Sequence, residues 1–112
     1  MKREFIYMRK FSKEWERLGL GDLELAQLEN YLMENPDAGK VMEGTGGLKK
    51  VRWALPHQGK SGSIRALYID FIFADIIYMI DLFPKNEKEN LTQAERNSIR
   101  DLVKAIGEEL KK

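Results

Sequence analysis

Apolar positions change their spacing several times along the chain, and each change marks a different kind of element. Phe5, Ile6 and Tyr7 stand together between the charged ends Arg3 and Arg9, which predicts a short first strand. Ser12 is then placed to cap a short helix carrying Trp15 and Leu18. After breaks at Gly19 and Gly21, Asp22 is placed to cap a second helix, whose Leu25, Leu28 and Leu32 recur at i, i+3 and i+7. Asn35-Pro36-Asp37 stops it. From Lys40 the period shortens. Val41, the glycines at 44, 46 and 47, and Val51-Arg52-Trp53-Ala54-Leu55 predict short strands joined by tight turns and ended by Pro56. Ile64 to Asp70 and Ile76 to Asp81 are rich in β-branched and aromatic residues, and predict an antiparallel hairpin turning near Ala74-Asp75. Thr92-Gln93-Ala94-Glu95 has capping-box spacing, and Ile99, Leu102, Val103, Ile106 and Leu110 form the apolar stripe of a closing helix.

The order strand, two helices, three strands, helix implies an α+β fold: an N-terminal strand and helical hairpin, a small mostly antiparallel sheet and a C-terminal helix to cover it. At 112 residues the chain makes one domain, residues 1–112, without internal repeats or a low-complexity linker. The run from Ile64 to Phe83 is apolar enough to be mistaken for a membrane helix. It contains Arg65, Asp70, Asp75 and Asp81, however, which a hairpin places at its edges far more cheaply than a bilayer could hold them. There is no cysteine, hence no disulfide framework, thiol nucleophile or thiolate metal site, and Met1-Lys2-Arg3-Glu4-Phe5 is no signal peptide. The expected location is the cytoplasm.

Total charge says little, because 19 basic residues nearly balance 18 acidic ones. Its distribution says more. Residues 40–65 carry Lys40, Lys49, Lys50, Arg52, Lys60 and Arg65 against Glu43 alone, while the segments on either side are each net acidic. Cations beside the glycines of Gly44-Thr45-Gly46-Gly47, and beside Gly59 and Gly62, suit a polyanion such as RNA. Lysines also guard the edges of sheets against aggregation, which is the plainer explanation of the same pattern.

Other motifs fall away on inspection. Gly59-Lys60-Ser61 resembles the end of a phosphate-binding P-loop, but Ala54 stands where that pattern needs glycine, and a strand rather than a helix follows. His57 is the only histidine, so mechanisms that need two imidazoles are excluded, and between Pro56 and Gln58 it reads as a loop residue. Asp70, Asp75 and Asp81 have no metal-ligand spacing and read as hairpin and edge polarity. Trp15 and Trp53 read as core. The remaining constellation is cationic: Lys50, Arg52, Lys60 and Arg65, with Tyr68 and, later, Lys85-Asn86. Strand alternation puts Arg65 and Tyr68 on opposite faces unless the strand bulges.

Gly44-Thr45-Gly46-Gly47-Leu48-Lys49-Lys50-Val51-Arg52, then Gly59-Lys60-Ser61-Gly62 with Arg65 and Tyr68, then Lys85-Asn86-Glu87 and Leu91-Thr92, resemble the RelE/HigB family of bacterial toxin–antitoxin toxins from about Asn35 to the C-terminus. The resemblance implies a RelE-like fold and a ribosome-dependent endoribonuclease, an mRNA interferase that inhibits translation without metal or cofactor and is held inactive by a cognate antitoxin. The chemistry so implied is in-line attack of a ribose 2′-hydroxyl on the adjacent phosphate. It needs cations for the phosphorane charge, an acid for the leaving oxygen and a base for the hydroxyl.

Carried over by position, the resemblance implies that Arg65 clamps the scissile phosphate, Lys60 adds point charge, and Lys49, Lys50 and Arg52 hold flanking or ribosomal RNA. Tyr68 would stack on a base or orient a hydroxyl, and Lys85 would serve as acid or phosphate contact. Arg65, read as a solvent-facing cation, should tolerate alanine without loss of the fold. An acidic or amphipathic segment of the antitoxin is expected over residues 40–65. The chain departs from the family pattern at Ser63, at Ile69 and at Phe83-Pro84, which removes tyrosine hydroxyls that could donate protons. The alternative is a ParE-like or non-catalytic module that binds a protein target through the helical hairpin at residues 12–34.

Overall fold

The computed structural model describes residues 2–54 and 63–112. Strand β1 (Glu4–Tyr7) is followed by helices α1 (Arg9–Arg17) and α2 (Asp22–Glu34). Strands β2 (Lys40–Val41), β3 (Lys49–Ala54), β4 (Ser63–Phe71) and β5 (Ile76–Pro84) come next, and helix α3 (Gln93–Leu110) closes the chain. The strands form one sheet in the order β1-β5-β4-β3-β2. Three of its four pairings are antiparallel; β1 runs parallel to β5 along the outer edge. The expected α+β architecture is therefore present, with a mixed sheet.

Helices cover both faces of the sheet. Phe11 and Trp15 of α1, and Leu28 and Leu32 of α2, pack on Val51, Ile64, Ala66, Tyr68, Ile77 and Met79. On the opposite face Ile99, Leu102, Val103, Ile106 and Leu110 of α3 close over Leu67, Ile69, Phe71 and Ile80. The apolar stripes read from the sequence are thus the two seams of the molecule. A fully buried leucine such as Leu28 or Leu32 contributes about 2 kcal/mol relative to an exposed one.

Local chemistry moves some helix boundaries. Met8 is extended and its amide donates to Met79 O at 2.9 Å, so α1 begins at Arg9 and Ser12 lies inside its first turn instead of capping it. Gly21, not Asp22, precedes α2. Its amide donates to Glu24 Oε1 at 2.8 Å. The C-terminal helix is capped as expected, with the Glu95 amide donating to Thr92 Oγ1 and the Thr92 amide to Glu95 Oε1. The run from Ile64 to Phe83 is hairpin, and no helix among the described residues is long and apolar enough to cross a membrane.

Two features of the hairpin place the site. Leu67 faces Asp81 and Tyr68 faces Met79, so Ile80 is an extra residue that bulges β5 and keeps Asp81 and Phe83 on the α3 face. At the turn, Asp75 takes a left-handed conformation with φ 55°. Asp70 is no mere edge group: Arg3, buried just before β1, donates to it at 2.8 Å.

The glycine run between β2 and β3 is also structural. Gly44, Gly46 and Gly47 have φ of 74°, 76° and 108°, a region that side chains disfavour. The buried Thr45 hydroxyl closes the turn, donating to Met42 O at 2.6 Å and accepting from the Leu48 amide at 3.1 Å. These glycines are required by a tight turn whether or not a polyanion binds there.

Candidate functional site

Register sorts the sequence-predicted site residues by face. Arg52 lies directly opposite Arg65 across β3 and β4, and Lys50 lies opposite Leu67 one row along. Arg65 in turn faces Phe83 on β5, and Leu67 faces Asp81. Lys50, Arg52 and Arg65 therefore share the α3 face. Lys49 faces Tyr68, and both lie on the opposite face, toward α2. The bulge needed on β4 to bring Arg65 and Tyr68 together lies on β5 instead and leaves the alternation of β4 intact.

Arg65 is not the solvent-facing cation that was expected. It is 8% exposed, with its guanidinium donating to Ser63 Oγ at 3.4 Å. Among the described residues, no carboxylate lies within ion-pair distance of Arg65, Arg52, Lys50 or Lys85. Like charges directly opposite on adjacent strands repel, and a buried guanidinium lacks the water that would screen it. The Arg52–Arg65 pair is thus a place where the sheet carries unneutralised positive charge next to an interior.

Lys85 joins this site through the backbone. Its amide donates to Ser63 O at 3.2 Å, so the exposed Lys85 leaves β5 beside the start of β4, two residues from Arg65. Lys50 Nζ reaches across to Asn90 Oδ1 at 2.9 Å, linking β3 to the segment between β5 and α3. Lys88 pairs with Glu95 and lies 5.7 Å from the centre of the Phe83 ring. A cavity of about 230 Å³ opens beside these groups, between Lys10, Asp81, Phe83, Glu87 and Lys88. In its wall the Lys10 ammonium pairs with Asp81 at 2.9 Å, and that carboxylate holds the Lys10 pKa above its ordinary value.

The structure gives Tyr68 a role other than the one carried over to it. Its ring is fully buried, so it offers no face to a base. The hydroxyl donates to Pro36 O at 2.8 Å and accepts from the Gly39 amide at 2.9 Å, and burial raises its pKa. The side chain pins the segment after α2 against the sheet. Approach there is close enough that a Cβ on Gly39 would sit 2.9 Å from the Tyr68 ring. Lys49 is likewise engaged on this far side, pairing with Asp37 at 2.9 Å. Lys60, His57 and the Gly59-Lys60-Ser61-Gly62 motif lie outside the described residues.

Sequence reasoning missed the groups that surround the cations. Asn90 had no motif to betray it, Ser63 stood only as a departure from the family pattern, and the contact from Arg17 Nη2 to Glu87 Oε1, at 2.8 Å, joins residues 70 apart. Glu87 lay within a quoted motif and Glu95 in the capping box, but neither signal pointed to its partner.

Comparison with known proteins bears on the whole of this architecture. Residues 3–111 match the family described as the RelE toxin of the RelE / RelB toxin-antitoxin system. The chain belongs to the RelE toxin family. Among solved structures, it is similar to the E. coli toxin RelE, determined as a double arginine-to-alanine mutant in the free state. The TM-score is 0.57 at 18% identity, with 80% of this chain and 90% of that one covered, which is a likeness of fold. Membership makes this a toxin of a toxin–antitoxin system and implies a cognate antitoxin as its partner. The family match also reaches into the N-terminal third, where the sequence motifs gave no resemblance.

Proposed function

We propose that this RelE-family toxin is an endoribonuclease that cuts mRNA on the ribosome, with the scissile phosphate bound on the α3 face of the sheet at Arg65. One observation carries the reading. Arg52 and Arg65 lie opposite each other, Arg65 is nearly buried, and no acid partner relieves either among the described residues. A phosphate between them would supply the missing charge. Arg65 suits the bidentate contact, Arg52 and Lys50 suit the flanking backbone, and Lys85 stands at the rim.

The reaction such a site supports is transesterification. The 2′-oxygen forms a bond to phosphorus as the bond to the 5′-oxygen breaks, leaving a 2′,3′-cyclic phosphate and a 5′-hydroxyl. A base removes the 2′-hydroxyl proton and an acid returns one to the leaving oxygen. The cations hold the charge that builds on the phosphorane, the largest single contribution available to a site of this composition. Lys85 is positioned to serve as the acid or as one further phosphate contact, and Lys60 belongs to the same proposal. Tyr68 is assigned to the scaffold, and Lys49 is removed from the RNA face.

The test is induced expression in bacteria, with primer extension on a reporter mRNA when initiation is allowed and when it is blocked. Cleavage within codons that disappears with translation is the expected result. Growth arrest with intact mRNA would instead favour a protein target, which the exposed Leu23 and Tyr31 of α2 could engage. Because Arg65 is buried, the diagnostic substitution is Arg65→Lys, which keeps the charge and loses the planar fork. Cutting should fall by about 100-fold while the melting temperature changes little.

A further inference from the structure

The segment from Lys85 to Asn90 has no regular structure, yet it is held from three sides. Its backbone turns on the Pro84 carbonyl, which accepts from the amides of Glu87 at 3.1 Å and Lys88 at 3.2 Å, while the Lys85 amide donates to Ser63 O. From α1, Arg17 reaches over with its guanidinium already oriented. Nε donates to Glu14 Oε2 at 2.9 Å and Nη2 to Glu87 Oε1 at 2.8 Å. From α3, Glu95 takes Lys88 while also accepting from the Thr92 amide. The two helices lie on opposite faces of the sheet, so the segment is clamped between layers. Of the four side chains, Arg17 and Glu87 are each 48% exposed, Lys88 and Glu95 each 31%.

Exposed pairs of this kind contribute little to global stability. Their geometry has another consequence. Glu87 and Lys88 are the second and third residues after Lys85, so fixing both side chains fixes the direction in which the Lys85 backbone leaves β5. Reactions that depend on alignment are sensitive to displacements of about 1 Å, which removal of either clamp would allow.

We infer that Arg17 and Glu95 are positioning residues for the phosphate site, acting through Glu87 and Lys88 to hold the Lys85 segment against the start of β4. The inference rests on the endoribonuclease reading for its effect on cutting, but the clamp itself can be observed without any substrate. The experiment compares the full chain with Arg17→Ala, Glu87→Ala, the double variant and Glu95→Gln. Two readouts are used: hydrogen exchange over residues 85–90, and single-turnover mRNA cutting over a range of ribosome concentrations up to saturation.

Faster exchange at residues 85–90 in each variant is expected, with the rest of the chain unchanged in the Arg17 and Glu87 variants, whereas Glu95→Gln also alters the Thr92 contact at the start of α3. Each single variant should cut about 10-fold more slowly at an unchanged half-saturating ribosome concentration. The Arg17→Ala, Glu87→Ala double variant should be no slower than either single one, because both substitutions break the same contact. Unchanged exchange would overturn the clamp. Wild-type cutting rates in the variants, or effects of Arg17 and Glu87 that multiply to about 100-fold, would overturn the positioning role, the latter by showing that Arg17 acts on its own. A wild-type protein that does not cut counts against the endoribonuclease reading, and the exchange measurement then still decides the clamp.

Discussion

At the scale of single residues, the site is marked by what its side chains lack. Arg52 and Arg65 stand opposite each other at a cost of roughly 0.5 kcal/mol, the usual size of a like-charge cross-strand pair. Arg52→Thr should therefore stabilise the protein, raising the melting temperature by about 2–4 °C in a thermal scan, while ribosome-dependent cutting falls. A drop in melting temperature would show that the pair is not repulsive. Tyr68 shows the opposite condition, a hydroxyl with every bond made. Tyr68→Phe leaves the buried Gly39 amide unpaired and leaves the Pro36 carbonyl only the longer contact from Lys49 Nζ at 3.5 Å. It should cost about 1–3 kcal/mol in urea unfolding, with cutting per folded molecule unchanged. These two residues also show how far the sequence could be read. Period-2 alternation placed Arg65 and Tyr68 on opposite faces, and the structure agrees. Burial was out of reach, because Arg65 and Arg52 look alike in a sequence, and only packing makes one interior and the other exposed.

At the scale of elements, legibility followed locality. The closing helix, with its capping box and apolar stripe, and the β4–β5 hairpin with its turn at Asp75, depend on neighbours a few residues apart and were readable. The start of α1 depends on Met8 pairing with Met79, and the buried Arg3–Asp70 pair spans three strands, so neither left a local trace. The N-terminus of α3 makes a testable case. Glu95 is hydrogen-bonded by Lys88 above all, and then by the Thr92 amide, which together hold its carboxyl below its ordinary value of 4.5. A carboxylate whose pKa is lowered by folding stabilises the native state at pH above its unfolded value, and that contribution disappears as pH falls below it. Melting temperatures of the wild type and Glu95→Gln should thus differ by a constant amount above about pH 5.5 and converge as the pH drops through 4.5 and below. A gap that widened on acidification would assign the effect to something other than this ionised group.

At the scale of the whole molecule, a net charge of +1 gives no long-range attraction to a polyanion, so association must rest on where the cations are. The sheet divides them: Lys50, Arg52 and Arg65 toward α3, Lys49 toward α2 and paired with Asp37. A segment count of basic residues cannot see that division, because it places all four in residues 40–65 without assigning them a face. Salt dependence can see it. Each phosphate neutralised on single-stranded RNA releases counterions and adds about −0.7 to the slope of log affinity against log salt. Arg52→Ala should reduce the magnitude of that slope by about 0.7, measured by fluorescence anisotropy on a short RNA from low to moderate salt. Lys49→Met should leave it unchanged, because its ammonium lies on the other face beside a carboxylate. If both variants lose the same increment, RNA reaches both faces and the site is not confined to the α3 side. If only Lys49 matters, the assignment of faces to RNA is reversed, and the repulsion between Arg52 and Arg65 needs another ligand to explain it.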